Sequence, residues 1–275
     1  MKRFETQLNQ HIKVEGSRVK EAMNYSLLAG GKRIRPLMML ALVEDLGGNS
    51  ELAMPAALAL EMVHTYSLVH DDLPAMDNDD FRRHKPTNHK VYGEGLAILA
   101  GDGLLNDAFM TIATSGLKPE LIVSLIEVLG RNAGPSGMIL GQEIDIANAF
   151  ETLEELTVSY QLKTGCLFAA ALESAVLVAD QGQLQDQARQ LAYDLGVFFQ
   201  YQDDILEYTS DFESMGKNIT SDQDEAKKTI VTFEGIEQAQ ATTKALYESI
   251  LSSLSKLTSG TKLYDLIVQM EQRQN

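Results

Sequence analysis

The sequence predicts an all-α protein, and the distribution of proline is the first reason. All six prolines lie in the first half of the chain, and none follows Pro135. Because proline is excluded from helix interiors, a long proline-free stretch rich in Ala, Leu, Glu, Gln and Lys indicates successive helices. The chain also lacks alternating apolar and polar runs joined by the turns typical of β-hairpins. We therefore expect residues 1–275 to form one all-α domain.

Apolar periodicity and helix-stop signals place the individual helices. Gly30-Gly31 and Gly47-Gly48 each follow a periodic segment and indicate helix ends. The predicted helices cover residues 17–29, 36–46, 54–72, 95–115, 119–133, 153–179 and 183–208, with further segments within 235–274.

Net charge restricts the class of ligand. The chain has 23 Lys and Arg against 39 Asp and Glu, a formal charge of −16. Nucleic-acid-binding surfaces normally carry the opposite sign, so we expect no nucleic-acid partner. An acidic chain can still bind phosphate groups if local basic clusters or metal ions reverse the sign.

Other features of composition bear on location. The longest stretches without a charge, such as residues 164–172, are shorter than the roughly 20 residues of a membrane span. The first residues contain no apolar signal segment, and the single cysteine, Cys166, cannot form an internal disulfide. These features predict a cytoplasmic protein without a membrane span.

Two pairs of adjacent carboxylates end largely apolar stretches, Asp71-Asp72 and Asp203-Asp204. Such groups repel each other, lose hydration on burial and meet the negative end of the helix dipole. A divalent cation removes all three penalties, and carboxylate oxygens are usual ligands of Mg²⁺. The alternative is a solvated acidic helix end, as we expect for the Asn78-Asp79-Asp80 segment.

Spacing within each pair predicts which carboxylates act together. Asp203 and Glu207 are four residues apart and share a helix face. Asp77 is six residues after Asp71, on the wrong face of an ideal helix. Pro74, however, disfavours helical geometry before it. We therefore expect the helix to break there and bring Asp77 back beside Asp71.

Cations gather beside glycines and beside the acidic pairs. In a chain this acidic, that arrangement indicates a polyanionic ligand held by Arg, Lys and metal together, and it offers room for more than one diphosphate. The clusters are Lys32-Arg33-Ile34-Arg35 after the Gly30-Gly31 pair, Arg82-Arg83, Lys163-Thr164-Gly165, Gly216-Lys217 and Lys227-Lys228-Thr229.

The motifs together resemble the trans-isoprenyl diphosphate synthase (polyprenyl synthetase) family, and most closely its bacterial farnesyl diphosphate synthase group. The resemblance runs from about residue 17 to the end, and the order and spacing of its motifs are specific. They are GGKRIRP (30–36), HTYSLVHDDLPAMDNDDFRR (64–83), LAGD (99–102), GQEIDI (141–146), KTG (163–165) and FQYQDDILE (199–207).

The resemblance implies a bundle of long antiparallel helices around a deep cavity, usually a homodimer, that binds isopentenyl diphosphate and an allylic diphosphate. It implies Mg²⁺, three ions per site and replaceable by Mn²⁺, with Asp71, Asp77 and Asp203 as ligands supported by Asp72, Asp204 and Glu207. It implies an allylic diphosphate site of Arg82, Lys163, Thr164, Gln200, Lys217 and Lys227, and an isopentenyl diphosphate site of Lys32, Arg35, His64 and Arg83. Phe199 is a further substrate-binding candidate because it adjoins Gln200, with a plain core role as the alternative.

Two departures from the family pattern stand out. Glu207 occupies a position where the family most often has Asp, and we expect the retained carboxylate to preserve its function. Only about 29 residues precede the glycine pair, which predicts a shortened first helix.

The implied reaction is ionisation of the allylic diphosphate, with Lys163, Arg82 and metal spreading the leaving-group charge, followed by attack of isopentenyl diphosphate. Product length should depend on Tyr66 and Ser67, which lie roughly 6–7.5 Å before Asp71 along the helix axis. By the resemblance, the bulky Tyr66 predicts a C15 product, farnesyl diphosphate. A C20 synthase is the alternative.

Three other classes fit parts of the pattern. A His-Asp metal phosphohydrolase would use His64, His70 and Asp71, but it leaves residues 30–36 and 203–207 without a role. A terpene cyclase would share the first acidic motif but needs no second basic site. A non-catalytic subunit of a larger synthase typically loses acidic motifs, and this chain keeps both.

Overall fold

The computed structural model describes residues 2–209 and 228–272, and it confirms the all-α class, with 77% of residues in helices. Packing divides the chain into two compact units. The first unit comprises Met1–Leu37 and Glu51–Ile126, and the second comprises Met38–Ser50 and Glu127–Asn275. Single-domain behaviour of residues 1–275 stays a prediction.

The elements met first along the chain carry the first acidic and basic motifs. Helix α2 begins after Ser17, whose hydroxyl accepts a hydrogen bond from the Lys20 amide, and it packs on α6. The elements are α1 (Lys2–His11), α2 (Arg18–Leu27), α3 (Ile34–Asp45), α4 (Ser50–Asp71), a hairpin of β1 (Phe81–Arg82) and β2 (Lys85–Pro86), α5 (Asn88–Tyr92), α6 (Glu94–Ala113) and α7 (Pro119–Ala133).

The remaining elements carry the second acidic motif. Helix α9 begins with a capping box, in which Thr152 and Glu155 satisfy each other's backbone amides. The elements are α8 (Met138–Ala147), α9 (Leu153–Tyr160), a π-helical turn (Gln161–Gly165), α10 (Cys166–Val178), a short 3₁₀ turn (Gly182–Leu184), α11 (Gln185–Thr209), α12 (Ile230–Glu234), α13 (Ile236–Leu257) and α14 (Lys262–Glu271).

The core of the second unit contains both packed apolar side chains and a buried, ion-paired carboxylate. An apolar cluster that includes Leu156, Val197 and Ile230 packs α9, α11 and α12 together. The carboxylate of Glu173 on α10 is fully buried and accepts hydrogen bonds from Arg131 of α7 and Arg189 of α11. A buried carboxylate persists in such a core only when it is paired in this way.

The structure corrects several predicted boundaries. The helix predicted to start at residue 54 begins at Ser50 and includes Pro55 in its interior, where proline cannot donate the usual intrahelical hydrogen bond. The predicted helix over residues 153–179 is interrupted by the π-helical turn. Helices α5, α8 and α12, the hairpin and the bounds of α1 were not predicted, because each of these elements is short or lacks a strong apolar period.

Among the described residues, three helical segments are long and apolar enough to cross a membrane by length and composition alone. Within Ser50–Asp71 and Leu153–Val178, 72% and 78% of the most apolar window is buried inside the protein. For Glu94–Ala113 the figure is 33%, so much of the apolar face of α6 is exposed. The predicted absence of a membrane span stays a prediction.

Candidate active site

The first acidic pair lies where α4 ends, and the structure confirms the predicted break. The last helical residue is Asp71. The following loop closes with the Asp77 amide donating to the Asp71 carbonyl at 2.8 Å, while the Asn78 amide donates to the Leu73 carbonyl at 3.1 Å. The turn containing Pro74 therefore returns the chain on itself. The backbones of Asp71 and Asp77 are adjacent, with Asp71 partly buried and Asp77 exposed.

Asp72 differs from its neighbour because it is buried and paired with Arg82. Two guanidinium nitrogens of Arg82 lie 2.6 and 2.7 Å from one Asp72 carboxylate oxygen, and Arg82 also reaches Asp79 at 3.4 Å. Burial raises the pKa of the Asp72 carboxyl, and the hydrogen bond from Arg82 offsets part of that rise. Asp72 therefore fixes Arg82 beside the end of α4, as a supporting residue would.

A basic cluster occupies the same unit, formed by the start of α3 with the loop before it, by α4 and by the hairpin. Arg35 Nη1 lies 3.4 Å from His64 Nε2. The guanidinium of Arg83 donates to the Gly30 carbonyl and lies flat against Gly31, where an added Cβ would be 2.7 Å from its Cζ. Gly31 also has φ +125°, so a larger residue is doubly disfavoured there.

Electrostatics around His64 indicate an anion site. Burial comes first in holding the pKa of His64 well below its usual range, followed by the charges of Arg35, Arg83, Arg82 and Arg33. The imidazole is therefore neutral at pH 7, and the charges that act on it most strongly are all positive. Such a concentration of guanidinium groups suits a doubly charged or triply charged diphosphate.

The depressed pKa of His64 predicts acid sensitivity. Unfolded His64 titrates near 6.5, so below that pH the unfolded chain takes up a proton that the folded chain refuses. The free energy of unfolding should fall as the pH drops, by about 1 kcal/mol per pH unit for this group below 6.5. Urea denaturation at several pH values should show a weaker dependence in His64→Gln.

The second acidic motif lies on α11, and its members differ in exposure. Asp204 is buried and accepts hydrogen bonds from the Tyr160 hydroxyl at 2.9 Å and the Ile230 amide at 3.1 Å. It thereby joins α9, α11 and the start of α12. Asp203 is partly buried, Glu207 is exposed, and the two lie one turn apart on one helix face. Asp204 is thus a structural support, and Asp203 is the stronger candidate ligand.

The π-helical turn carries Lys163 and Thr164. The Thr164 hydroxyl donates to the Gln200 side-chain carbonyl at 3.0 Å, which joins two predicted ligands of the allylic diphosphate. Lys163 Nζ lies 2.5 Å from the carboxylate of Asp145 on α8. Phe199 packs against Phe168 at a ring-centroid distance of 6.0 Å. A π turn inserts an extra residue into a helix and often marks a functional position.

Close approach of α8 makes this arrangement possible. A Cβ added to Gly141 would lie 2.6 Å from the Leu162 carbonyl carbon and closer still to the Lys163 amide nitrogen. Asp145 lies one turn after Gly141 on the same face of α8. Gly141 therefore lets the two backbones touch, and Asp145 can then reach the Lys163 ammonium group.

Three residues in these sites were not predicted from the sequence. Asp145, Tyr160 and Arg33 hold Lys163, Asp204 and the loop before α3, respectively. The GQEIDI motif contained Asp145, and its spacing of four from Gly141 was the available signal. Lys217 and Lys227, predicted for the allylic site, lie outside the described residues.

Tyr66 and Ser67 lie where the end of α4 packs on α6. Tyr66 is buried and contacts the His70 ring edge-on at 5.8 Å, and His70 Nε2 lies 3.1 Å from the Ile98 carbonyl oxygen. Burial, with a contribution from Asp71, raises the pKa of Tyr66 to about 12. The Ser67 hydroxyl donates to the His64 carbonyl at 3.0 Å. The bulk of Tyr66 is therefore held in place by its neighbours.

The donor atoms suit Mg²⁺. Asp71, Asp77 and Asp203 offer carboxylate oxygens that are not fully buried. Within residues 2–209 and 228–272, no three His, Cys, Asp or Glu side chains are grouped tightly enough to hold an ion unaided. Mg²⁺ commonly takes only one or two carboxylates and completes its shell with water and phosphate oxygens. In donor type, Asp71 and Asp77 of the first unit and, separately, Asp203 of the second unit therefore suit a Mg²⁺ ion.

Comparison with known proteins identifies the family. The family model described as polyprenyl synthetase matches residues 17–267. A farnesyl diphosphate synthase of Micrococcus luteus is 46% identical over 86% of this chain and 82% of its own length. A geranylgeranyl diphosphate synthase of Cyanophora paradoxa is 44% identical over 91% and 87%.

A solved structure agrees with these relatives. The Helicobacter pylori geranyltransferase complexed with magnesium and isoprenyl diphosphate superposes with a TM-score of 0.85, at 33% identity over 98% of this chain and 93% of that one. The all-α fold is thus shared with solved enzymes of this type. The chain belongs to the polyprenyl synthetase family.

Proposed function

We propose that this chain is a farnesyl diphosphate synthase, which condenses isopentenyl diphosphate with dimethylallyl diphosphate and then with geranyl diphosphate. The observation that carries the proposal is the juxtaposition of an arginine-rich anion site around neutral His64 with the paired carboxylates Asp71 and Asp77 at the end of α4. Relatives named farnesyl diphosphate synthase are 46% and 47% identical to the chain.

Binding of the two substrates uses different residues. Lys32, Arg35 and Arg83 hold isopentenyl diphosphate by charge-assisted hydrogen bonds. His64 adds an uncharged contact, because its pKa is held well below the usual range. Lys163, Thr164 and Gln200 hold the allylic diphosphate, with Arg82 spreading its charge. Asp145 orients Lys163, and Asp72 orients Arg82.

Mg²⁺ is the proposed cofactor, three ions per site, with Asp71, Asp77 and Asp203 as ligands and Mn²⁺ as a substitute because it prefers similar oxygen donors. When bound, the ions neutralise the diphosphate leaving group. Asp72, Asp204 and Glu207 act in support. Breaking of the allylic C–O bond leaves a carbocation, which needs water-free surroundings such as Phe199 and Phe168 provide.

Carbon–carbon bond formation follows from attack by the double bond of isopentenyl diphosphate. As the family resemblance implies, the departed pyrophosphate then accepts the proton that the adduct loses. The test is incubation with Mg²⁺, isopentenyl diphosphate and dimethylallyl diphosphate, followed by sizing of the dephosphorylated alcohols. Farnesol is expected. Release of inorganic phosphate from nucleotides, or a cyclic hydrocarbon made without isopentenyl diphosphate, would refute the proposal.

A C20 product is the second candidate, favoured by the 44% identity to a geranylgeranyl diphosphate synthase. The choice rests on Tyr66. Tyr66→Ala should move the product from C15 toward C20 and longer, because it removes a buried ring roughly 7.5 Å before Asp71 along α4. Chromatography of the alcohols measures the shift.

The control is Ser67→Ala, which keeps the side chain at position 67 small and removes only a hydroxyl bonded to the His64 carbonyl, so the product length should stay unchanged. An unchanged C15 product in Tyr66→Ala would place the limit on chain length elsewhere. A C20 product from the unmodified enzyme would refute the C15 assignment.

The chain is further proposed to act in the cytoplasm as a homodimer. Ile98, Leu99 and Met110 on α6 are 45%, 51% and 52% exposed, and Leu99 and Met110 share a helix face because eleven residues make about three turns. An exposed apolar face of this kind favours association. Light scattering should give the dimer mass, and Leu99→Glu should lower it, whereas Asp102→Glu, at an exposed residue that is already charged, should not.

A further inference from the structure

Arg33 lies between two residues predicted to bind isopentenyl diphosphate, yet its side chain is buried in the protein. Lys32 is exposed and Arg35 is partly buried, whereas Arg33 is only 3% exposed. The run Lys32-Arg33-Ile34-Arg35 is therefore not one uniform set of cations. Its second member is withdrawn from solvent, so it has a task other than contact with a diphosphate.

All of the hydrogen bonds of Arg33 point into the protein. Its Nη1 donates to Glu61 Oε1 at 2.6 Å, its Nη2 to the Leu27 carbonyl at 2.8 Å and its Nε to Glu5 Oε1 at 3.0 Å. Glu61, on α4, is itself only 2% exposed. One guanidinium group thus fastens the loop to α1, to the end of α2 and to the middle of α4. A planar fork of donors is what such three-way attachment requires.

The backbone at Arg33 needs that attachment. Its φ is +50°, a left-handed conformation that residues with a Cβ rarely adopt. Gly30 and Gly31 precede it with φ values of +92° and +125°. Gly30, Gly31 and Arg33 therefore have positive φ within four residues, and Arg33 is the one of the three that carries a Cβ. A non-glycine residue in such a conformation persists when its surroundings over-determine it. The side-chain network of Arg33 supplies that constraint.

We infer that Arg33, held by Glu61 and Glu5, is a positioning residue that fixes Lys32 and Arg35 in the geometry that binds isopentenyl diphosphate. The inference rests on the proposed function of that site. It also gives α1 a role in substrate affinity, because Glu5 lies on α1. The effect should fall on one substrate of the two, since the allylic site residues Lys163, Thr164 and Gln200 make their contacts elsewhere in the chain.

The test is steady-state kinetics of Arg33→Lys and Glu5→Gln with each substrate varied in turn. Arg33→Lys keeps the charge and loses the fork, so the KM for isopentenyl diphosphate should rise by at least about tenfold, while the KM for dimethylallyl diphosphate stays within about twofold. Glu5→Gln should give a smaller rise of the same selectivity. It is the milder change because Glu5 is the least buried partner, and it decides the question if Arg33→Lys does not fold.

Arg3→Lys on α1 is the matched control, because Arg3 forms an exposed ion pair with Glu51 and should leave both KM values unchanged. Equal rises for both substrates, or no change in the two test variants, would overturn the positioning role. Failure of the proposed function looks different: the unmodified enzyme would then form no prenyl product from the two diphosphates.

Discussion

Replacement of Asp71 by alanine should lower kcat/KM by roughly three orders of magnitude and leave the fold intact. A metal-stabilised leaving group is worth several kcal/mol in the transition state, and about 4 kcal/mol corresponds to a thousandfold change in rate. The folded state should not suffer, because Asp71 lies at the negative end of the α4 dipole, where a carboxylate is unfavourable. Thermal unfolding should therefore give an unchanged or slightly raised Tm while product formation collapses.

Asp80→Ala is the matched control in the same loop region. Asp80 is exposed and pairs with Lys90 at 2.6 Å, an interaction worth at most about 1 kcal/mol. Its loss should leave activity within about twofold of the unmodified enzyme. Near-normal turnover by Asp71→Ala, or full activity of the unmodified enzyme in excess EDTA, would contradict the metal role.

Gly141→Ala should damage both stability and turnover, although it adds a single methyl group. That methyl would overlap the backbone of the π-helical turn, so α8 has to withdraw and cannot relieve the clash by a side-chain rotation. Overpacking of this kind costs about 1–3 kcal/mol. Withdrawal would also carry Asp145 away from Lys163, and a displacement of about 1 Å in a positioning contact can cost roughly a hundredfold in rate.

Thermal unfolding and steady-state kinetics measure the two effects separately. Gly95→Ala is the control, because Gly95 also lies in a helix but has open space around its Cα. There the substitution should raise stability slightly, since alanine is the better helix former by about 1 kcal/mol. If Gly141→Ala matched Gly95→Ala in both measurements, close approach of α8 would not be what positions Lys163.

Rules based on neighbouring residues correctly predicted those helix bounds and breaks that depend on local sequence. The bounds of α7, Pro119–Ala133, were predicted to the residue, because proline at a helix start and an unbroken apolar period fix them. The break after Asp71 followed from Pro74 alone. The pairing of Asp72 with Arg82 and of Asp204 with Tyr160 did not, because each joins residues through tertiary packing that spacing does not encode.

In the candidate site, too, some features could be predicted from local sequence and others depend on tertiary packing. Residue types and motif order predicted which side chains take part, but not which way each one points. Lys32 and Arg33 are adjacent cations, and only the left-handed backbone at Arg33 turns one outward and the other into the protein. Likewise, the KTG motif predicted Lys163 but not its partner Asp145. Asp145 comes near Lys163 because the backbones touch at Gly141, and a backbone contact of this kind leaves no apolar periodicity in the sequence.

The π-helical turn between α9 and α10 also determines the direction in which the side chains of α10 point relative to those of α9, because the three segments form one continuous helix. An extra residue in a helical turn rotates everything after it by about 100° relative to an uninterrupted helix. The residues of Cys166–Val178 therefore face the directions that they do because of the five residues Gln161–Gly165. If that turn became regular helix at unchanged length, the nearly all-buried α10 would rotate by about 100°. Loss of one residue together with the turn would instead leave α10 facing as it does now, so the extra residue is accommodated within the turn itself.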